Sequence, residues 1–449
     1  MKGTSFIGSK GEYILGDLVD NGAEGSVYKL ANRPDLLVKI YNDGGKAGDN
    51  IVATKETEDK LRTMMTLVRG GDVDRFSTVA WPVDIIYRRT DRKFAGFVMP
   101  AVKGQSIYIL EAEGLRNDYF GEYDWRNSIQ AAYNLACMTA ELHKKNIVLG
   151  DWNIRNIRIT KKGAIVLIDN DGFTIRSAGG RLFKSKGARP EYMAPEMQGI
   201  RNLSDPRAVF NEYTDRYGLS VHIFELLMNG EHPFNARQAD PYAASMNAPK
   251  MMMSILKGES PYINGIGRIP RHSPDYCRMM PPYIKKLFNR VFSYNATNCI
   301  KPETIKARPS AEEWRNALNT LKQDLRSCNR FRHHVYWKGA PECPWCAMGM
   351  DDKCCIKKIP DGYQPLFTTM SENKAVLPTH PVRIRPDEAL PPADLMRRYL
   401  NEPLHRPVIQ GSISEEERYS ESEDVWESIK DAILGLAAVV AVVISIVLI

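Results

Sequence analysis

The sequence lacks several features that would assign it to particular classes of protein. Its 449 residues carry 61 basic and 54 acidic side chains, so the formal charge of +7 is mild for this length. It has no basic stripe with interleaved aromatic residues, so nucleic acid is not expected as a partner. The first twelve residues are polar and glycine-rich and lack the apolar core of a signal peptide. No internal repeat is present, which excludes a repeat architecture.

Cysteine is scarce in the first 325 residues, which argues against a disulfide-stabilised scaffold. Only Cys137, Cys277 and Cys299 occur there, and we interpret them as isolated thiols. The other five of the eight cysteines lie close together, at Cys328, Cys343, Cys346, Cys354 and Cys355. Clustered cysteines in a chain without a secretory signal favour metal binding over a disulfide framework.

The spacing of Cys328, His334, Cys343 and Cys346 predicts a structural zinc site. Two cysteines separated by two residues can bind one metal from a tight turn, and a distant cysteine and histidine complete a tetrahedron. His333 is the alternative to His334, which is favoured because its spacing resembles that of small zinc-ribbon modules. A redox pair and unliganded thiols are the other interpretations. We expect a zinc-ribbon-like module at residues 326–355.

Two further segments follow this module. Residues 356–430 contain nine prolines and an acidic patch, which predict a disordered, semi-rigid linker. Residues 432–449 are apolar apart from Ser445, and a helix of about 18 residues at ~1.5 Å per residue just crosses a ~30 Å hydrocarbon layer. This segment predicts a transmembrane tail anchor, with a buried helix or an oligomer contact as the alternatives.

Hydrophobic periodicity predicts an α+β fold with two lobes. Residues 11–103 favour strands and one helix (the N-lobe), and residues 104–325 are mainly helical (the C-lobe). The predicted strands are Tyr13–Val19, Gly25–Leu30, Leu36–Tyr41, Val83–Tyr87 and Phe94–Met99. The predicted helices are Glu56–Val68, Asn127–Lys144, Tyr217–Met228, Tyr283–Phe292 and Ser310–Leu325.

A glycine turn between two predicted strands could bind phosphate. Gly22 and Gly25 lie in this turn, just before Val27, and glycines let backbone N–H groups approach phosphate oxygens closely. An ordinary hairpin turn has the same pattern. Lys39 adds weight to the phosphate interpretation, because a lysine inside an apolar strand is costly unless its charge meets an anion.

A stronger signal is the combination of Asp151, Asn156 and Asp169. Asp151 and Asn156 are five residues apart, and Asp169 ends the hydrophobic run 165–168. Phosphoryl transfer needs a carboxylate near the attacking hydroxyl, together with oxygen ligands that hold Mg²⁺ against the phosphates. Any one of these residues alone could be a helix cap or a turn residue. All three at these offsets, downstream of Lys39, favour a site that uses ATP and Mg²⁺.

The order of these motifs resembles that of protein kinases. Three later segments strengthen the resemblance, which covers about residues 11–325. The sequence 194–196, Ala-Pro-Glu, resembles the end of a kinase activation segment, and the segment 214–220 resembles the start of the helix that supports the catalytic loop. Arg308 resembles the late arginine that pairs with the glutamate of that Ala-Pro-Glu motif.

The resemblance implies a role for each site residue. Lys39 would bind the α- and β-phosphates, oriented by Glu58 of the predicted helix, with Glu56 as the fallback partner. Asp151 would be the catalytic base that accepts the proton of the substrate hydroxyl. Asn156 and Asp169 would hold Mg²⁺.

The same resemblance places the nucleotide. Gly22, Gly25 and Val27 would cover it from the N-lobe. The linker between the lobes would contact adenine through the carbonyl of Pro100 and the N–H of Val102. Pro100 lacks an N–H, but a carbonyl is what the resemblance requires at that position.

The chain departs from the kinase pattern at several positions. Leu149-Gly150 replaces the usual His-Arg, so a phosphate on the activation segment would have no arginine partner there. The usual catalytic-loop lysine is Asn153, the Phe-Gly after Asp169 is Asn170-Asp171, and the first glycine of the loop is Asp20. This combination resembles atypical bacterial Hanks-type kinases.

Three functions remain open at this point. The leading one is a Ser/Thr protein kinase with a protein substrate, held to a membrane by its C-terminal helix with the kinase domain in the cytoplasm. The departures leave room for a pseudokinase scaffold. The catalytic-loop sequence also resembles that of aminoglycoside and choline phosphotransferases, but those enzymes lack the Ala-Pro-Glu segment present here at 194–196.

Overall fold

The structure is a computed structural model of the chain. It describes residues 1–44, 51–67, 79–110, 113–121, 123–185, 187–198, 200, 205, 208–235, 247–266, 269 and 273–350. The predicted linker at 356–430 and the predicted anchor at 432–449 lie outside these residues, as do Cys354 and Cys355. Within the described ranges, no helix has both the length and the apolar character needed to span a bilayer.

The N-lobe contains a closed six-stranded antiparallel barrel with strand order β1-β2-β3-β4-β6-β5. The strands are β1 (Ser5–Gly8), β2 (Gly11–Asn21), β3 (Gly25–Leu30), β4 (Leu36–Tyr41), β5 (Asp84–Arg88) and β6 (Phe94–Pro100). Five of them match the predicted strands. β1 was not predicted, and it closes the barrel by pairing with both β2 and β5.

Asp84 fixes this closure. Its carboxylate accepts hydrogen bonds from the backbone N–H groups of Ser9 (3.1 Å) and Lys10 (2.9 Å) and from the Tyr13 hydroxyl (2.8 Å). Ser9 and Lys10 form the turn between β1 and β2. The buried side chain of Asp84, at the start of β5, therefore holds the β1–β2 hairpin against β5. A carboxylate that accepts several such bonds is satisfied without a cation.

Helix α1 (Lys55–Leu67) packs on the barrel. Leu61 and Met64 are fully buried, and the indole of Trp81 donates to the carbonyl of Met64 (3.0 Å). The predicted helix therefore forms. Its buried residues include Lys60, which the sequence analysis did not assign to the interior face.

The C-lobe is mainly helical, as expected. Its helices are α2 (Glu113–Phe120), α3 (Trp125–Lys144), α4 (Glu212–Leu227), α5 (Asn247–Lys257), α6 (Tyr276–Met279), α7 (Pro282–Phe292), α8 (Tyr294–Thr297), α9 (Pro302–Lys306) and α10 (Ala311–Gln323). Short strands lie near the interlobe cleft: β7 (Gln105–Ser106), β8 (Ile157–Ile159), β9 (Ile165–Leu167), β10 (Ile175–Arg176) and β11 (Leu182–Phe183).

Helix α4 begins five residues before its predicted start at Tyr217, because Asn211 caps it. The side chain of Asn211 accepts from the N–H groups of Tyr213 (2.8 Å) and Thr214 (3.2 Å). Thr214 returns a bond by accepting from the Asn211 N–H (3.0 Å), which completes a reciprocal cap. The extra turn carries Asp215 into the centre of the lobe, where it is fully buried.

A small unit follows α10 and packs against the C-lobe. It consists of β12 (Leu325–Ser327), β13 (Val335–Trp337) and α11 (Pro344–Ala347). Trp345 of α11 donates its indole N–H to the carbonyl of Val335 (2.7 Å) and lies edge-on to Trp125 at the start of α3, with ring centroids 6.3 Å apart. The module thus shares an aromatic contact with the kinase-like core.

A buried ion pair ties the middle of the C-lobe to its end. Both terminal nitrogens of Arg308 donate to the carboxylate of Glu196, each over 2.6 Å, and Arg308 is fully buried. This is the pairing that the kinase resemblance implied. Bidentate geometry and burial make it far stronger than a surface pair.

We expect Arg308→Ala to lower the free energy of unfolding by about 3–5 kcal/mol, because it leaves the Glu196 carboxylate without its cation. Denaturant unfolding of the full-length chain measures this. Arg33→Ala, which breaks an exposed pair with Asp35, is the control and should leave the free energy of unfolding nearly unchanged. Equal losses for the two variants would show that the Arg308 pair carries no special weight.

Candidate active site

The predicted site residues line a cleft between the barrel and the helical lobe. On the N-lobe side the cleft is bounded by the glycine turn, Lys39 and the end of β6. On the other side it is bounded by Asn156, Ile168 and Asp169. The cleft continues past Asp171 to Asp151, Lys60 and Phe173. The cleft therefore comprises two adjoining cavities that share Glu24, Asn156, Asp169 and Asp171, one beside the interlobe linker and one beside the catalytic loop.

The glycine turn follows the strand pairing of β2 and β3. The N–H of Gly22 donates to the carbonyl of Gly25 (2.9 Å), which closes the turn. A Cβ atom on Gly25 would lie 2.1 Å from the carbonyl oxygen of Ile40, so no larger residue fits there without moving β4. Val27 pairs directly with Lys39 across β3 and β4, which places the turn beside the lysine.

The interlobe linker holds the two groups predicted to bind adenine. In this structure the N–H of Val102 donates to the carbonyl of Pro100 (3.0 Å), so the two groups satisfy each other. The N–H of Ala101 donates to the carbonyl of Asp35 (2.8 Å) and anchors the linker to the N-lobe. Both Pro100 and Val102 line the cleft. Contact with adenine at these atoms stays a prediction, and it requires this internal bond to open.

Lys39 is the most heavily paired cation in the cleft. Its ammonium lies 2.7 Å from Asp169 Oδ1, 2.8 Å from Asp171 Oδ2 and 3.5 Å from Glu24 Oε2. Burial lowers the pKa of Lys39, but these three carboxylates outweigh that effect and raise it above the usual value. The lysine is therefore charged when it is buried, as an interaction with phosphate requires.

The predicted contact between Lys39 and Glu58 is not formed in this structure. Glu58 Oε1 instead accepts from Arg62 Nη2 (2.8 Å) and from the Tyr87 hydroxyl (2.6 Å). The reason is the rotation of α1, whose cleft-facing side carries Lys60 together with Thr57 and Glu56. The helix offers a cation to the cleft at the position where a carboxylate was expected.

The catalytic loop is held from below by Asp215 of α4. Its carboxylate accepts from the backbone N–H groups of Leu149 (2.8 Å) and Gly150 (3.0 Å) and from the indole of Trp152 (2.9 Å). His143 Nε2 lies 3.0 Å from the same carboxylate. Four groups on one buried side chain fix the backbone immediately before and after Asp151.

Asp151 itself is poorly satisfied. Its Oδ1 atom is buried and has no hydrogen-bond partner among the described residues. Burial raises the pKa of Asp151 to about 6, with a further contribution from the nearby Asp169 carboxylate. A carboxylate with an elevated pKa and an unpaired oxygen in a cleft is a candidate general base.

Asn156 and Asp169 both line the cleft, which is the arrangement the predicted Mg²⁺ site needs. Asp169 exposes 47% of its side chain and adopts a left-handed backbone conformation with φ of 58°. Its oxygens are therefore accessible from the cleft. Amide and carboxylate oxygens suit Mg²⁺, so the side chains present fit this metal. Lys39 contacts one of the Asp169 oxygens, and a bound metal would share that carboxylate with it.

The cysteine and histidine side chains also converge. Ligand atoms of Cys328, His334, Cys343 and Cys346 all lie within 4.8 Å of one another. His334 Nδ1 is 3.5 Å from Cys346 Sγ and 3.7 Å from Cys343 Sγ, and the Sγ atoms of Cys328 and Cys346 are 3.6 Å apart. Zinc bonds of about 2.3 Å to sulfur and 2.0–2.1 Å to nitrogen give tetrahedral edges of roughly 3.5–3.8 Å. These three distances fit a zinc site, so the cluster could hold the metal, and its histidine is His334.

Two site residues were missed by sequence reasoning. Asp215 was read only as part of a helix start, although a charged residue at the start of a largely apolar helix can signal a buried anchor. Asp171 was read as a departure from Phe-Gly rather than as a partner for Lys39. The signal for Asp171 was present, because two carboxylates beside one buried lysine can share its charge.

The fold and the site together define a protein-kinase-like domain. Residues 51–260 match the family model described as protein tyrosine and serine/threonine kinase. This match and the two-lobed architecture show that the domain is similar to those of protein kinases.

Among curated proteins, the chain is similar to protein kinase YegI of Escherichia coli. It is 27% identical to the K12 protein over 336 residues, which is 74% of this chain and 48% of that protein. It is 27% identical to the O157:H7 protein over 350 residues, covering 78% and 50%. The cGMP-dependent protein kinase egl-4 of Caenorhabditis elegans is 29% identical over 182 residues, 40% of this chain and 20% of that protein. The chain spans about half the length of the YegI proteins.

The pKa of Asp151 predicts how stability changes with pH. The pKa is 3.8 in the unfolded chain and about 6 in the folded one, so the folded state prefers the neutral acid. The resulting stabilisation is complete below pH 4 and is lost as the pH rises through 6. Asp151→Asn removes this dependence. Without metal or nucleotide, the melting temperature of Asp151→Asn minus that of the wild type should rise by several degrees between pH 4 and 7.

The control is Glu303→Gln, which neutralises an exposed carboxylate on α9. If the melting temperature of Asp151→Asn minus that of the wild type does not change between pH 4 and 7, the elevated pKa of Asp151 is contradicted. Thermal unfolding in a chelator, at constant ionic strength, measures both variants.

Proposed function

We propose that the chain is an ATP- and Mg²⁺-dependent protein kinase that phosphorylates Ser and Thr hydroxyls. The observation that carries this proposal is the meeting of Lys39, Asp151, Asn156 and Asp169 around one cleft. These residues lie on three separate segments, namely β4, the catalytic loop and the segment after β9, and their convergence is what phosphoryl transfer between two lobes requires.

The side chains suggest the following division of work. Lys39 would donate to the α- and β-phosphates of ATP, and Asn156 and Asp169 would hold the metal. Mg²⁺ bound there would neutralise charge that develops on the β- and γ-phosphates. Asp151 would orient the substrate hydroxyl and take its proton while the oxygen bonds to the γ-phosphorus and ADP leaves. The Asp215 contacts would keep Asp151 in place throughout.

A pseudokinase is the alternative that the departures favour. It would bind nucleotide without transfer, because Gly150 and Asn153 replace groups that assist phosphate handling in the family. A small-molecule phosphotransferase is less well supported, since Arg308 binds Glu196 of the Ala-Pro-Glu motif and so gives that segment the structural role it has in protein kinases.

Transfer of labelled phosphate from ATP tests the proposal. Full-length protein in mild detergent should phosphorylate itself or a generic protein substrate with Mg²⁺. We expect Asp151→Asn to lower kcat by about 10²-fold or more, because removing a general base typically costs this much. Phosphoamino-acid analysis should find phosphoserine or phosphothreonine.

Asp118→Asn, an exposed change on α2, serves as the control and should keep wild-type activity. A melting temperature that rises with Mg²⁺–ATP, combined with no transfer by the wild type, would support the pseudokinase instead. Transfer only to small alcohols would support the third function.

We also propose that Cys328, His334, Cys343 and Cys346 bind a structural Zn²⁺. The support is the tetrahedral spacing of their ligand atoms and the small size of this unit, which buries too little to fold on apolar contacts alone. Because Trp345 lies against Trp125, loss of zinc should also lower the thermal stability of the kinase-like core.

Metal analysis of the purified full-length chain should find about one zinc per molecule. We expect Cys343→Ser to lose most of this zinc and to lower the melting temperature by several degrees. Cys299→Ser, at an exposed thiol, is the matched control. An unchanged zinc content in Cys343→Ser, or a disulfide between Cys343 and Cys346 in the native protein, would argue against the zinc site.

Membrane tethering through residues 432–449, with the kinase domain in the cytoplasm, is proposed from the apolar sequence alone. Sedimentation of the full-length chain with membranes, and its release when 432–449 are deleted, would support the anchor. Recovery of the intact chain in the soluble fraction would refute it.

A further inference from the structure

Asp171 lies deeper in the cleft than the predicted metal ligands. It is 8% exposed, and its Oδ2 atom accepts from Lys39 Nζ (2.8 Å) and from the Tyr41 hydroxyl (2.6 Å). Tyr41 is itself buried, at 4% exposure. The carboxylate is therefore held at a fixed position by one cation and one hydroxyl, both from β4.

Helix α1 does not compete with Asp171 for Lys39. Glu58, the carboxylate that would do so, is bound on the far side of the helix by Arg62 and Tyr87. The α1 side chains that line the cleft are Glu56, which is exposed, and Thr57 and Lys60, which are buried. None of the ion pairs that Lys39 makes among the described residues involves Glu56.

Lys39 bridges two carboxylates of different character. Asp171 is 5% exposed at its side chain, whereas Asp169 exposes 47%. The exposed one is the predicted metal ligand, whereas the buried one already accepts from Lys39 and Tyr41 through Oδ2. When Mg²⁺ takes an oxygen of Asp169, the lysine would still have Asp171 within 2.8 Å.

We propose that Asp171 is the positioning residue for Lys39, in the place that Glu58 was expected to fill. It holds the ammonium in place through Oδ2 while leaving Asp169 free for Mg²⁺. This inference rests on the proposed function, since it concerns the same nucleotide site.

The loss of this carboxylate has a specific consequence for the metal. In Asp171→Asn, Asp169 is the one carboxylate left within 3 Å of Lys39 among the described residues, at 2.7 Å against 3.5 Å for Glu24. The lysine and Mg²⁺ then compete for one carboxylate. A merely structural role for Asp171 would weaken folding or nucleotide binding in general but would not shift the Mg²⁺ requirement in particular.

The experiment is a Mg²⁺ titration of nucleotide binding by the full-length chain, using a non-hydrolysable ATP analogue and isothermal calorimetry. We expect Asp171→Asn to raise the half-saturating Mg²⁺ concentration at least about tenfold. Asp171→Glu restores the charge and should return to within about threefold of the wild type. Asp59→Asn, a nearby carboxylate on α1 that pairs with Lys55 and Arg181, is the matched control.

Glu58→Gln distinguishes the rival arrangement, in which α1 turns on nucleotide binding and brings Glu58 to Lys39. A tenfold rise in the half-saturating Mg²⁺ concentration of Glu58→Gln would overturn this inference but not the proposed function. An unchanged Mg²⁺ requirement in a folded Asp171→Asn would do the same. If Asp171→Asn does not fold, Glu58→Gln decides the question. A half-saturating Mg²⁺ concentration within threefold of the wild type supports Asp171 as the positioning residue, and a tenfold rise refutes that role. A wild type that binds no nucleotide at any Mg²⁺ concentration overturns the proposed function, and this inference with it.

Discussion

The burial of one ammonium group organises the cleft. Lys39 is 6% exposed, and a lone charge at such a site would cost several kcal/mol. Its compensation comes from Glu24 in the glycine turn and from Asp169 and Asp171 after β9. These carboxylates belong to both lobes, so neutralising the lysine also sets how the barrel meets the helical lobe at this point. Apolar packing tolerates small displacements, whereas hydrogen-bonded ion pairs of under 3 Å do not.

Asp215 plays the corresponding part below the cleft. It accepts two backbone N–H groups and one indole N–H from the catalytic loop, so the loop is fixed by one side chain on a long buried helix. This leaves Asp151 rigid but without a partner for Oδ1. Its elevated pKa follows from that arrangement, because the loop is held firmly enough to keep a carboxylate where water and donors are scarce.

The strands of the barrel and the four main site residues could be predicted because each carries a local signal, such as an apolar strand or a glycine turn. The partner of Lys39 could not. Glu58 and Lys60 are two positions apart, which is about 200° around a helix. Because Met64 and Met65 are both apolar, the hydrophobic periodicity of α1 allows either of two helix faces to be the buried one. In the structure Met64 is fully buried. Likewise β1 has only Phe6 fully buried, too weak a pattern to reveal the strand that closes the barrel.

The missing His-Arg pair is explained by what occupies its place. Gly150 has a φ of 73°, and a Cβ atom there would lie 2.8 Å from Ser185 Cβ, so an arginine is excluded. The activation segment packs directly on this spot. Thr174 pairs with Val148 through both backbone groups, and its hydroxyl accepts from the Ser185 N–H (2.8 Å). Neutral hydrogen bonds thus hold the segment where a phosphate–arginine pair would otherwise act, and we expect its order to depend little on added charge.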